Sequence, residues 1–154
     1  MKCENVEVVA TVIVQRGRLL ALFNPRWGAF TFPMSRRKQF LDPTVSKAAT
    51  PEKLERAAAR VAAEVLGRSF APGEFPRLLC EIKDFEQSDA DGIWKLYHIQ
   101  VFGLTLPSDD KPVPGLITEW FARDDFKKRE PVTHTARFLL DRMEEAGHLP
   151  PWKR

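Results

Sequence analysis

The sequence predicts one α/β domain, a mixed sheet with flanking helices. Three observations carry that reading. Stretches 6–24 and 75–106 are rich in β-branched and aromatic residues that alternate with polar ones. Stretches 50–67 and 131–147 have helical period, and each ends in a glycine. The chain has 154 residues, enough for one domain with a real core and too few for two. The expected division is a domain over 1–147 and a tail over 148–154, where "LPPWKR" is either disordered or docks Trp152 on the domain or on a second subunit of a homodimer.

Taken in order, "VEVVATVIVQRGRLLALFN" (6–24) reads as two strands joined by a tight turn at Arg16-Gly17-Arg18. "PRWGAFTFP" (25–33) is an aromatic loop running into a short alternating strand. "MSRRKQFLDPTVSKAA" (34–49) shows no period and reads as a basic loop. The first helix follows, with Thr50 as N-cap, Pro51 at the first helical position, Glu52 on the positive end of the dipole and Gly67 as C-cap. Stretches 75–87 and 92–106 are two further strands, joined by the acidic turn "SDADG". After a loop over 107–115, "LITEWFARDDFKKRE" (116–130) begins as a strand and turns polar. The second helix spans 131–147, with Phe138, Leu139, Arg142 and Met143 near one side.

Composition removes several classes. No apolar run approaches the length of a membrane span, so no membrane partner is expected. Glu4 and Glu7 interrupt the N-terminal stretch, which does not read as a secretory leader. Cys3 and Cys80 are the only cysteines, which suits free thiols in a reducing, cytoplasmic setting. A net charge of +3 leans mildly toward phosphate-bearing partners and is weak support for nucleic-acid binding. His98, His134 and His148 show no partner pattern, and no triad, glycine-rich phosphate cradle or zinc spacing occurs.

The first helix carries the informative pattern. At about 100° per residue, Leu54, Ala58, Val61 and Val65 form an apolar centre. Glu52, Arg56, Arg60 and Glu64 follow one another at i, i+4 along a charged stripe that permits a ladder of ion pairs. A core-facing helix with a solvated charged face explains all of this.

The order of elements adds to it. A strand pair, "WGAFTFP", a helix ending in Gly67, two strands, "EWF" and a last helix resemble the Nudix superfamily, over about residues 6–147. The family signature is G-x5-E-x7-R-E-U-x-E-E-x-G-U, U being a bulky aliphatic. With Arg60 on the signature arginine, Glu52 falls on the first glutamate, Glu64 on the first of the paired glutamates and Gly67 on the final glycine. Val61 and Val65 stand where two of the three metal-binding glutamates would be. Ser46 takes the place of the leading glycine by counting; if Pro33 marks the family's turn, Met34 and Ser35 replace its glycines and the loop before the helix is longer than usual.

The resemblance implies a Nudix-like α/β/α sandwich. It also implies hydrolysis of a nucleoside diphosphate linked to another group, with Mg²⁺ or Mn²⁺ as cofactor if the chain is active and none otherwise. Catalysis would then rest on Glu64 as metal ligand, on Arg60, which pairs with a signature glutamate and orients it, and on Glu52 as the first signature glutamate. Further acids could come from Glu81, Asp84, Glu86, Asp89, Asp91 or Glu119, each of which also reads as solvated surface charge. Near the family's phosphate approach stand Arg26, Arg36, Arg37 and Lys38, with Trp27 as a stacking surface and Phe30 and Phe32 as core aromatics. Two functions therefore stand open, a hydrolase with weak or lost activity and a silent domain that binds a nucleotide-like ligand or a partner protein. A single-stranded nucleic-acid binder is the third and weakest reading.

Overall fold

The fold is given by a computed structural model that describes residues 3–26, 28–36, 39–41, 49–87, 91–107, 109–128 and 132–145. Its elements are β1 (Cys3–Gln15), β2 (Arg18–Asn24), β3 (Ala29–Thr31), β4 (Met34–Arg36), β5 (Gln39–Leu41), β6 (Ala49–Pro51), α1 (Leu54–Leu66), β7 (Arg77–Gln87), β8 (Trp94–Thr105), β9 (Thr118–Phe121), α2 (Arg123–Lys128) and α3 (His134–Glu145).

Among the described residues seven strands form one mixed sheet, with β3-β2-β1-β8-β7 as its main path. β1 is the axis. It runs parallel to β8 along nearly its whole length, from Cys3 opposite Trp94 to Val14 opposite Thr105. Its other edge is shared: β2 pairs with it at Val14 and Gln15, and β4 at Val8 to Ala10. β2 in turn carries β3 and β9. The β1–β2 turn is tight because Arg16 and Gly17 both take positive φ, 50° and 73°, the backbone that a two-residue hairpin requires.

Period two explains the layers. Ala10, Val12 and Val14 point to one face of the sheet, where Phe32, Phe126, Leu139, Leu140 and Met143 from β3–β4, α2 and α3 cover them. Val9 and Ile13 point to the other face, under Ala57, Ala58, Ala62 and Val65 of α1. A strand buried on both faces reads as a near-continuous apolar run, which is how "VVATVIV" looks. Helices on both faces make this an α/β/α sandwich.

Four expectations are corrected. Stretch 34–49 is not simply a loop: it holds β4, and β5 pairs antiparallel with β6, Phe40 facing Thr50. That hairpin keeps Thr50 and Pro51 extended, so neither opens the helix. α1 begins at Leu54 after Lys53, which makes no side-chain cap bond, and Glu52 lies outside the helix rather than in its first turn. The polar end of 116–130 forms a short helix, α2, whose Phe126 is fully buried and stacks on Phe32 with centroids 5.0 Å apart. α3 starts at His134 rather than 131, because the Thr133 hydroxyl accepts the Ala136 N–H at 3.1 Å as an N-cap.

Gly67 ends α1 as expected. It sits at φ 65°, its N–H donates to the Ala63 carbonyl at 2.8 Å, and a Cβ there would collide with Val113. Val113 also donates its N–H to the Val65 carbonyl at 2.8 Å, which lays the 107–115 loop against the end of the helix. Cys3 and Cys80 are free thiols, and no helix among the described residues is long and apolar enough to cross a membrane.

Candidate functional site

The charged stripe of α1 resolves into a clamp centred on Arg60. Glu52 approaches from the segment between β6 and the helix and accepts two hydrogen bonds, from Arg60 Nε to Oε2 and from Nη2 to Oε1, both 3.0 Å. This fork-to-fork pairing is the strongest geometry a guanidinium makes with a carboxylate. Nη1 donates to Ser35 Oγ and to Glu64 Oε1, each 3.3 Å, and Nη2 donates to the Arg36 carbonyl at 3.3 Å. A guanidinium has five N–H groups, and these five bonds use them all.

Burial separates the partners. The Glu52 side chain is 6% exposed, that of Arg60 18% and that of Glu64 61%. The hydrogen bond to Glu52 is the main cause that raises the Arg60 pKa above its ordinary value, ahead of an opposing effect of burial. Glu52–Arg60 is thus the inner pair and Glu64 the outer rim. Thr11 secures the same helix from beneath, its buried hydroxyl donating to the Ala58 carbonyl at 3.0 Å. Arg60 is tied to β4 and to the pre-helix segment, which fits a positioning role better than contact with a ligand.

β4 stands between this clamp and a cleft. Its register places Ser35 beside Val9, on the α1 face, while Met34 and Arg36 lie beside Ala10 and Val8, on the opposite face. On that opposite face a cleft of about 350 Å³ opens. Val8, Tyr97, Ile99 and Met34 give it an apolar floor; Arg36, Asp84, Glu86 and Thr135 give it a polar rim. Ligand sites are commonly apolar concavities of this size with a few polar groups. Arg36 therefore serves both features, its carbonyl in the clamp and its side chain on the cleft.

The other expected positions divide. Glu52, Arg60 and Glu64 come together. Val61 and Val65 are 3% and 4% exposed, in the core, as the apolar arc of the helix required. Arg26 is exposed on the β2–β3 turn, its N–H bound to Asn24 Oδ1 at 2.9 Å, and it does not line the cleft. Trp27, Arg37, Lys38 and Asp89 lie outside the described residues, as do the tail and His148. Phe30 and Phe32 are core residues, and His98 pairs with Asn5 across the β1–β8 ladder at 3.1 Å. Of the further acids, Asp84 and Glu86 reach the cleft, Asp91 pairs with Lys95 at 3.1 Å, and Glu81 lies in a groove between β7 and α3. Sequence reading missed Val8, Tyr97 and Thr135; the alternation Ile82-Asp84-Glu86 in "EIKDFEQ" was the available signal for a shared face.

A divalent metal does not fit the described residues around α1. Mg²⁺ takes near-octahedral oxygen ligands and needs carboxylates that converge. Here Glu52 is committed to Arg60, Glu64 shares an oxygen with it, and the flanking valines are buried. Among the described residues no three of His, Cys, Asp and Glu gather as a metal site.

No family model and no curated protein matches the sequence. Solved structures do match its fold. A MutT NUDIX hydrolase from Burkholderia pseudomallei superposes with a TM-score of 0.60 at 23% identity, over 90% of this chain and 97% of that one. The MutT protein from Methanosarcina mazei Go1 gives 0.65 at 18% identity, over 96% and 98%. The NUDIX domain of Shewanella oneidensis NrtR, complexed with ADP ribose, gives 0.59 at 16% identity, over 94% and 89%. The superpositions take in nine-tenths or more of this chain: it has the fold of the Nudix hydrolases.

Proposed function

We propose that this chain is a Nudix-fold recognition module that binds a phosphate-bearing, nucleotide-like ligand without metal-assisted hydrolysis. The observation that carries the reading is the state of α1. Val61 and Val65 are part of the core, and all the N–H groups of Arg60 are occupied by protein acceptors. The helix is complete as a structural element and leaves Glu64 as its one outward carboxylate near the clamp. The cleft across β4 supports the binding half of the proposal, with Arg36 at its rim as a cation for phosphate oxygens. The similar NUDIX domain seen with ADP ribose supports the ligand class.

The test is calorimetric titration with ADP-ribose in Mg²⁺ and again in EDTA. The reading expects saturable binding whose Kd differs less than about twofold between the two. Binding seen only with metal, together with release of phosphate products, overturns it. The exposure of Glu64 favours one second reading, a hydrolase in which Glu64 holds Mg²⁺ or Mn²⁺ while Arg60 and Glu52 orient it. Under that reading Glu64→Ala abolishes both metal binding and turnover.

A further inference from the structure

The cleft contains a group that the clamp does not explain. Asp84 stands on β7 opposite Tyr97 of β8, and its carboxylate lines the cavity. Its Oδ2 is enclosed by protein, and among the described residues no donor meets it. Buried carboxylate oxygens are normally hydrogen-bonded, so one that is not needs a reason. The two carboxylate oxygens are equivalent, so turning the group only exchanges them; Oδ1, which is not enclosed, is the oxygen that a ligand in the cleft meets.

Register sets the geometry of a ligand that would satisfy it. Asp84 and Arg36 stand three strand spacings apart, about 14 Å, and two residues out of register along the strands, about 7 Å more, so their backbones are about 16 Å apart on the same face of the sheet. A carboxylate only accepts hydrogen bonds. The ligand must therefore offer an N–H donor at the Asp84 end, an apolar body over Val8, Tyr97 and Ile99, and an anion toward Arg36.

Resting on the recognition reading above, we propose that Asp84 is the specificity-determining residue of the cleft: it accepts a hydrogen bond from the exocyclic amino group of a nucleobase. The amino group supplies the missing donor, and the planar ring covers the apolar floor. A base without that donor leaves the carboxylate unmatched, which penalises the wrong ligand as well as favouring the right one.

The probes are ADP and GDP, each against its N,N-dimethylamino analogue, and free adenosine and guanosine. They are titrated into wild type, Asp84→Leu and Asp84→Asn, and the unliganded proteins are melted. The wild type should bind at least one of ADP and GDP about tenfold or more tighter than its analogue. Asp84→Leu should lose that preference by weakening the amino nucleotide and sparing the analogue. Unliganded Asp84→Leu should melt about 2–4 °C higher than wild type, because it no longer buries an unmatched oxygen. A lower melting temperature in both variants, or an amino preference unchanged in Asp84→Leu, overturns the proposal. If nucleotides bind with no dependence on Asp84, this inference falls and the recognition reading stands. Asp84-dependent binding of the free nucleosides, with nothing gained from phosphate, sinks the phosphate-bearing ligand and keeps Asp84. Failure of every probe to bind overturns both.

Discussion

Substituting Glu52 by alanine should cost far more stability than substituting Glu64, although both carboxylates bind the same arginine. Glu52→Ala deletes two 3.0 Å charge-assisted bonds within a pair whose side chains are 6% and 18% exposed. Removing one partner of a buried pair typically costs about 3–5 kcal/mol, because the remaining charge stays desolvated. Arg60 keeps Ser35, the Arg36 carbonyl and Glu64, and it keeps some contact with water, so the cost falls to the bottom of that range or just under it, about 2–3 kcal/mol. Glu64→Ala deletes one 3.3 Å contact to a carboxylate that is 61% exposed at i,i+4 spacing, a class of pair that contributes about 0.3–0.5 kcal/mol. At about 2–4 °C per kcal/mol for a domain of this size, Glu52→Ala should melt about 5–10 °C below wild type and Glu64→Ala within about 2 °C of it. Urea unfolding should show the same order, and 1 M salt should erase the Glu64 effect while leaving most of the Glu52 effect. Equal losses in the two variants would refute the division into inner pair and outer rim.

Three more outcomes follow from the same geometry. Gly67→Ala should lose at least about 1–2 kcal/mol by urea titration, since an L-residue is strained at φ 65° and its methyl meets Val113; a neutral result would mean the loop shifts freely. Restoring acids with Val61→Glu and Val65→Glu should create no saturable Mn²⁺ site and should lower the melting temperature by more than about 5 °C, because both carboxyls enter buried positions, that at 65 beside Ile13 and Leu104. Burial raises the Cys80 pKa above its ordinary 9.0, so the folded protein holds that proton more tightly than the unfolded chain. The linked stability is then fully present below about pH 9 and declines as pH rises through the folded-state value. Melting between pH 8 and 10 should fall more steeply for wild type than for Cys80→Ala, and iodoacetamide should label exposed Cys3 before half-buried Cys80.

Much of the architecture was legible because it rests on period. The two-sided apolar run of β1, the buried arc of α1 and the Gly67 stop are properties of neighbouring residues, and the structure places them as their spacing requires. What escaped depends on pairing between distant segments. β4, β5 and β6 are three residues each, too short to show alternation, and they exist because β1 or one another supplies the hydrogen bonds. The same hairpin overrode the helix-start signals of Thr50 and Pro51 and moved Glu52 off the helix. That displacement changed its chemistry, from a solvated first-turn acid to the buried partner of Arg60. The Arg60–Glu64 spacing was readable; Ser35 and the Arg36 carbonyl were not, since only the β1–β4 register brings them there. The cleft escaped for the same reason, being assembled from β1, β4, β7, β8 and α3.

The central claim is that this Nudix fold retains ligand recognition and has lost its metal site. Titration of Mn²⁺ followed by electron paramagnetic resonance, with and without ADP-ribose, tests it most directly. The account predicts free Mn²⁺ signal at every concentration of protein alone, nucleotide binding that persists in EDTA, and the same result for Glu64→Ala. A saturable Mn²⁺ site in wild type that disappears in Glu64→Ala, accompanied by turnover of the nucleotide, would contradict it.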